Sequence, residues 1–142
     1  MRVEQETITV PTGARVEFLD ITKKVVDVLG KHSVRNGFLL LNTLHTTTAL
    51  FINEFQDALI YDLHGLMENI VERQKEYRHN DPRYSDCDRG NADSHLRSAL
   101  FNHTLCLALQ DSHPVLGQFQ SIIFAELDGP RERTLHLQIM GE

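Results

Sequence analysis

Residues 38–53 read FLLLNTLHTTTALFIN, and this stretch decides the fold class. Its first half, residues 38–45, shows almost no alternation of apolar and polar side chains, which predicts a strand buried on both faces. Its second half, residues 46–53, is rich in threonine and carries an apolar Leu-Phe-Ile run, which predicts that β structure continues. The stretch therefore predicts β structure at the centre of the protein.

The segments on either side extend this prediction to the whole chain. Upstream, residues 3–11 and 16–19 have strand patterns, and a helix with an apolar stripe follows until Asn36-Gly37. Downstream, apolar residues at i, i+4, i+7, i+8 and i+11 predict a long helix over residues 56–74. A polar loop over residues 75–92, a further helix and strands over residues 104–109, 119–126 and 134–140 complete the chain. The order β-β-α-β-β-α-α-β-β-β predicts an α+β fold with a mostly antiparallel sheet, and 142 residues suit one domain, 1–142.

Charge and composition exclude several classes of protein. The net charge of −6 argues against a nucleic-acid partner, which requires a concentrated basic surface. No apolar stretch is long enough to span a bilayer, and the first ten residues do not resemble a secretion signal. The two cysteines form no CxxC pair. We therefore expect free thiols, a cytoplasmic location and no membrane association.

His45 and Thr47 stand where the central strand pattern ends and point to the same face of a strand. An imidazole there is suited to metal binding or to proton transfer near neutral pH. A strand-end histidine that hydrogen-bonds a neighbouring carbonyl group fits the pattern equally well.

Glu54 and Asp57 lie three residues apart at the start of the long helix. Neighbouring carboxylates separate each other's pKa values, which suits acid–base chemistry or metal binding. The simpler interpretation is stronger on pattern alone, because acidic residues are common in first helical turns, where they complement the helix dipole.

Two histidines, His79 and His95, bracket the polar loop and are placed to close it over a site. The acidic residues between them, Asp81, Asp86 and Asp88, fit a solvated loop. They do not form an EF-hand, because the third early ligand is missing and Arg97 occupies the twelfth position.

Arg131 follows a tight Asp-Gly-Pro turn between two predicted strands. The turn presents a planar guanidinium group that suits a phosphate or carboxylate. A surface arginine in a hairpin is the common alternative.

Three stretches, HTTTALFINE (45–54), NADSHL (91–96) and GQFQSIIFAELDGPR (117–131), closely resemble signatures of the YjbQ-like (UPF0047) family. The resemblance runs in order over nearly the whole chain. The family pattern usually has tryptophan where this chain has Phe119, which loses an indole donor but keeps an aromatic ring. The family's motif positions fall on His45, Thr46, Thr47, Asn53, Glu54, Asp57, Asp62, His79, Asn91, His95, Gln120, Glu126 and Arg131.

The resemblance implies a compact homotrimer with a polar cleft near the subunit interface. It also implies a secondary, low-level thiamine-phosphate synthase activity, which joins a hydroxymethylpyrimidine diphosphate to a thiazole phosphate and releases pyrophosphate. On this basis we expect catalytic roles for Glu54, Asp57 and Asn91, and contacts to a small phosphorylated substrate from Thr47 and Arg131. We expect a divalent metal on His45, His79 and His95.

Three hypotheses about function stay open at this stage. The first is a transferase acting on phosphorylated molecules, with Mg²⁺ if oxygen ligands dominate or Zn²⁺ if the histidines converge. The second is a metal-assisted hydrolase that uses the histidines, and the third is a trimeric binding module without turnover. Separations beyond about 12 Å between the predicted site residues would favour the module, because the ligands of one metal lie within about 2 Å of the ion.

Overall fold

Eight strands and three helices alternate along the chain, which the computed structural model describes from Met1 to Glu142. The strands are β1 (Arg2–Pro11), β2 (Glu17–Asp20), β3 (Gly37–Thr43), β4 (Thr48–Asn53), β5 (Thr104–Gln110), β6 (His113–Pro114), β7 (Ser121–Glu126) and β8 (Glu132–Gly141). The helices are α1 (Thr22–Leu29), α2 (Asp57–Ile70) and α3 (Ala92–Leu100). The predicted order of elements is confirmed, and the two-residue strand β6 is an addition.

The strands form two antiparallel sheets. The larger has the order β1-β8-β3-β5-β6, and the smaller has the order β2-β7-β4. One face of the smaller sheet packs with α1 and the inner face of the larger sheet, and its other face packs with Met67 of α2. Residues 122–126 of β7 are therefore buried without interruption. The α+β class and the antiparallel pairing are confirmed.

The central strand β3 differs from the prediction in one respect. Leu39 and Leu41 are fully buried, but Phe38 on the other face is 56% exposed. Residues of β3 alternate in burial because only the inner face of the larger sheet is covered within one chain. Burial on both faces, as the sequence predicted, is wrong for the single chain.

The long helix α2 is shorter and less buried than predicted. It ends at Ile70 rather than at residue 74, because Val71 is extended. At its start the side chain of Gln56 accepts a hydrogen bond from the Leu59 N–H, which satisfies one free donor of the first turn. Met67 is its only buried residue, so most of its apolar side chains stay accessible. None of the helices is both long enough and apolar enough to cross a lipid bilayer.

Strand register brings three distant segments to one end of the smaller sheet. Thr48 at the start of β4 lies opposite Glu126 at the end of β7, and the turn to β8 follows directly. The start of α3 joins them, because Ser94 Oγ donates a 2.5 Å hydrogen bond to the carbonyl of Leu127. Residues 45–47, 91–95 and 126–133 therefore meet at this end of the sheet.

Candidate functional site

A tight turn, residues 127–131, connects β7 to β8 and forms the floor of the site. Glycine is required at position 129: an added Cβ would lie 2.5 Å from the carbonyl oxygen of Ala14 and 2.7 Å from Cγ of Glu126. The Arg131 N–H donates to Thr12 Oγ1 at 2.8 Å, which ties the end of the turn to the end of β1. The predicted tight turn with Arg131 at its end is confirmed.

A buried ion pair lies directly beneath this turn. Glu126 and Arg133 have side chains that are 0% and 1% exposed, and two hydrogen bonds of 2.7 and 2.5 Å join them. Glu126 also accepts from the Asp128 N–H at 2.9 Å and from Thr12 Oγ1 at 3.0 Å. Arg133 donates to Thr47 Oγ1 at 3.0 Å. Thr47 is thus buried and occupied by a structural contact.

Arg133 was missed in the sequence analysis, although a signal for it was present. In β8, Leu135, Leu137 and Ile139 point into the core, and the same alternation places Arg133 on the inner face. An arginine at an inward position needs a buried partner, because the cost of taking its charge out of water is large. Glu126, seven residues earlier, is that partner.

Three donors converge on a single oxygen of Asp128. Its Oδ2 accepts from Arg89 Nε at 2.8 Å, from Asn91 Nδ2 at 2.8 Å and from Arg131 Nη2 at 3.0 Å. Burial alone would raise the pKa of Asp128, but the hydrogen bonds from Arg89 and Asn91 and the nearby positive charges outweigh it and lower that pKa. Asp128 is therefore ionised at neutral pH and aligns both guanidinium groups.

The two arginines of this cluster keep donors available to solvent. The side chains of Arg89 and Arg131 are 48% and 35% exposed, whereas that of Asp128 is 7% exposed. Two positive charges and one negative charge leave the cluster with a charge of +1. Arg89 was not predicted from the sequence, where it lies within the polar loop and carries no pattern of its own.

His45 lies within electrostatic reach of this cluster. Its Nε2 accepts a 2.8 Å hydrogen bond from the Thr134 N–H, so the ring proton is on Nδ1 when the imidazole is neutral. Burial lowers the pKa of His45, and the charges of Arg133 and Arg131 lower it further, while Glu126 acts in the opposite direction. His45 is therefore a neutral hydrogen-bond donor at pH 7. The alternative interpretation, a strand-end histidine that hydrogen-bonds a neighbouring carbonyl group, is therefore confirmed only in part. His45 does bond to the backbone, but its partner is the N–H group of Thr134.

His79 and His95 form the second imidazole group of the site. Their ring centroids lie 4.9 Å apart with the rings nearly perpendicular. Burial lowers the pKa of His95, and His79 lowers it further, while Asp128 and the Thr46 carbonyl raise it. His95 and His45 also line one open groove of about 570 Å³, together with His103. The groove and the Asp128 cluster are therefore adjacent parts of one site.

The histidines do not form a ligand set for a metal ion. No group of three or more His, Cys, Asp or Glu side chains in the chain is placed to hold one. The Nε2 lone pair of His45 is already used by Thr134, which leaves His79 and His95 as a pair. A resident metal does not fit these donors within one chain, and the divalent ion stays a prediction.

Glu54 and Asp57 lie apart from the other predicted residues. Strand β4 has 6 residues, so at about 3.3 Å a residue its ends, Thr48 and Asn53, lie about 17 Å apart. Glu54 follows Asn53, at the end of β4 that is far from the turn. Asp57 is the acidic residue of the first turn of α2, which agrees with the simpler interpretation that it complements the helix dipole. Both are exposed. By the distance criterion, these two residues favour a module without turnover, whereas His45, His79, Asn91, His95 and Arg131 do meet.

The comparisons with known proteins agree with one another over nearly the whole chain. Residues 6–142 match the family model described as UPF0047 protein YjbQ-like. A UPF0047 protein of Methanothermobacter thermautotrophicus is 37% identical over 142 residues, covering 100% of this chain and 95% of that protein.

Two solved structures are similar to this fold. A YbjQ-like protein of unknown function from Sulfolobus solfataricus has a TM-score of 0.90 at 30% identity, with 99% of each chain covered. A hypothetical protein from Aeropyrum pernix has a TM-score of 0.88 at 32% identity, covering 98% of this chain and 99% of that one. Neither description assigns an activity.

Proposed function

The chain belongs to the YjbQ-like UPF0047 family, and we propose that it is a small-molecule enzyme that acts on phosphorylated substrates. The observation that carries the proposal is the alignment of Arg89 and Arg131 on one oxygen of Asp128. A guanidinium group presents paired N–H donors that match phosphate oxygens, and these two keep exposed N–H groups. The net charge of +1 favours an anion here although the whole chain carries −6.

The neutral imidazoles supply a second requirement of such an enzyme. His95, whose pKa is lowered, is neutral at pH 7 and is suited to accept a proton, and His45 Nδ1 donates a hydrogen bond. When a phosphate or diphosphate group leaves carbon, the developing negative charge needs positive groups close to it. In this proposal Arg89 and Arg131 stabilise the developing negative charge, and the imidazoles lie beside them.

Thiamine-phosphate synthesis is the reaction that we propose to assay first. It releases pyrophosphate, so its leaving group matches the Arg89–Arg131 pair. Hydrolysis with a resident metal has less support, because no three His, Cys, Asp or Glu side chains of one chain are placed to hold a metal ion. Elemental analysis of the purified protein tests the predicted Mg²⁺ or Zn²⁺.

Assembly into a trimer is the second part of the proposal. Glu54 and Asp57 lie about a strand length from the arginine cluster in the same chain, so they join a site only if a neighbouring copy brings them there. The exposed Phe38 and the sparsely buried α2 offer apolar surface for such an interface. A neighbouring copy would then complete a site in the cytoplasmic enzyme.

The test compares the parent with Arg131→Lys, which keeps the positive charge but loses the paired N–H donors of the guanidinium group. We expect this change to weaken pyrophosphate binding, measured by calorimetry, about tenfold, because hydrogen bonds to charged groups contribute about 1.5–3 kcal/mol. Arg35→Lys is the matched control, because Arg35 is exposed and pairs with Asp111 at the far end of the larger sheet. Equal binding by Arg131→Lys and the parent would contradict the assigned role. Binding without any turnover of phosphorylated substrates would instead favour the non-catalytic module.

A further inference from the structure

Arg15 lies in the loop between β1 and β2, next to both halves of the candidate site. Its Nη2 atom is 3.0 and 3.1 Å from the two carboxylate oxygens of Asp93 and 3.1 Å from Ser94 Oγ, in the first turn of α3. Its backbone carbonyl accepts a 2.9 Å hydrogen bond from the N–H of Gly129, in the turn between β7 and β8. One residue therefore contacts α3 through its side chain and the turn through its main chain.

Ser94 connects the two contacts directly. Its hydroxyl group donates its single hydrogen to the carbonyl of Leu127, so the same oxygen is left to accept from Arg15. Ser94 is 0% exposed, which places this link away from water. His95 follows Ser94 in α3, and Asp128 follows Leu127 in the turn. The link therefore sets the distance between the His95 imidazole and the Asp128 cluster.

The charge of Asp93 makes the contact with Arg15 a strong one. The side chain of Asp93 is 0% exposed, and the hydrogen bonds to its carboxylate come from Arg15, whereas Arg97 Nη1 is further away at 3.5 Å. A buried carboxylate without hydrogen bonds is costly, because its charge has been taken out of water. The start of α3 is therefore held to Arg15 more firmly than a neutral contact would hold it.

We propose that Arg15 is a positioning residue, which holds His95 beside the anion that Arg89 and Arg131 bind. This inference rests on the proposed function and adds to it a residue outside the motif positions of the family resemblance. The guanidinium group of Arg15 is directed to α3 rather than to the anion. Its role is to fix the start of α3 on the turn, so that an imidazole and two guanidinium groups act on the same ligand.

The test follows NMR signals while inorganic pyrophosphate is added to the protein. In the parent, the Arg131 Nε–H signal and the ring signals of His45 and His95 should move together and saturate at the same concentration. Arg15→Met removes the donors but keeps a long side chain, and it should leave the Arg131 and His45 responses in place while the His95 response is lost. Arg15→Lys should restore part of the His95 response, because an ammonium group can still donate to Asp93.

Arg2→Met is the matched control, because Arg2 lies at the opposite end of β1 and also donates to a serine hydroxyl group, at 2.8 Å to Ser33. It should leave all three responses as they are in the parent. Amide spectra check that each variant is folded. If Arg15→Met does not fold, the double variant Arg15→Met/Asp93→Asn removes the uncompensated charge and should show the same selective loss.

An unchanged His95 response in folded Arg15→Met would overturn this inference and leave the proposed function standing. Equal losses at Arg131, His45 and His95 would also overturn it, because they would indicate a general loosening of the fold. A parent in which Arg131 responds and His95 does not would show that His95 does not lie beside the anion, with the same consequence. If pyrophosphate moves no Arg131 signal in the parent, the proposed function and this inference both fail.

Discussion

Replacing Arg133 with methionine leaves the carboxylate of Glu126 without its cation in a place that water does not reach. Removal of one partner of a buried ion pair costs about 3–5 kcal/mol, because the remaining charge is uncompensated. Domains of this size have a free energy of unfolding of about 5–15 kcal/mol. Arg133→Met is therefore expected to remove a large share of the stability, and Glu126→Gln a comparable share.

The double variant Glu126→Gln/Arg133→Met separates the pair from its surroundings. The amide oxygen of glutamine still accepts from the Asp128 N–H or from Thr12, so about 1–2 kcal/mol should be lost from weakened hydrogen bonds alone. The double variant should therefore lose less free energy of unfolding than either single variant. The coupling energy between the two positions is then at least about 4 kcal/mol, far outside the additivity of about 0.5 kcal/mol that independent sites show.

Urea unfolding followed by circular dichroism measures these differences. Protein concentration must be held constant, because the proposed assembly would make the apparent stability depend on it. Arg35→Met is the control for loss of an arginine and should change stability by less than about 0.5 kcal/mol, since Arg35 is exposed. A stability loss below about 1 kcal/mol for Arg133→Met would refute the buried-charge reasoning. A loss in the double variant that equals the sum of the two single losses would refute it as well.

Glu126→Gln should flatten the acid dependence of stability, because the hydrogen bonds from Arg133 keep the pKa of Glu126 below 4.5 despite burial. Stability from such a group is present above the unfolded pKa and lost as pH falls through the folded pKa, as urea melts from neutral to acid pH would show. His45 and His95, whose pKa values are lowered, should titrate below 6.5 in proton NMR; titration at 6.5 or above would contradict the neutral imidazoles. Glu54→Gln and Asp57→Asn should change thermal stability by less than about 0.5 kcal/mol and lower thiamine-phosphate synthesis at least about tenfold. Loss of stability with activity retained would return both residues to a role at the helix start. Light scattering should give the mass of three 16.3 kDa chains, and a monomeric mass would contradict the trimer.

Much of the candidate site could be predicted from sequence, because its residues stand beside strands, helices and turns that have recognisable local sequence patterns. His45 follows a strand pattern, His95 lies in a helix start and Arg131 follows a tight turn. The Asp-Gly-Pro turn was recognisable because its residue types determine the local backbone. Arg89 could not be found in this way, since a polar loop has no periodicity and its contact with Asp128 spans 39 residues.

The sequence by itself determined the order of strands and helices, the α+β class and the positions of the turns, because these depend on periodicity and local backbone preference. Only the tertiary structure decided which polar groups meet. Strand register brought Thr48 opposite Glu126 and thereby joined residues 45–47 to residues 126–133, while it left Glu54 at the far end of β4. The outer face of β3 shows the same limit. An unbroken apolar run indicates that burial of both faces is favourable, but the helices and strands that pack on the sheet determine which face is covered.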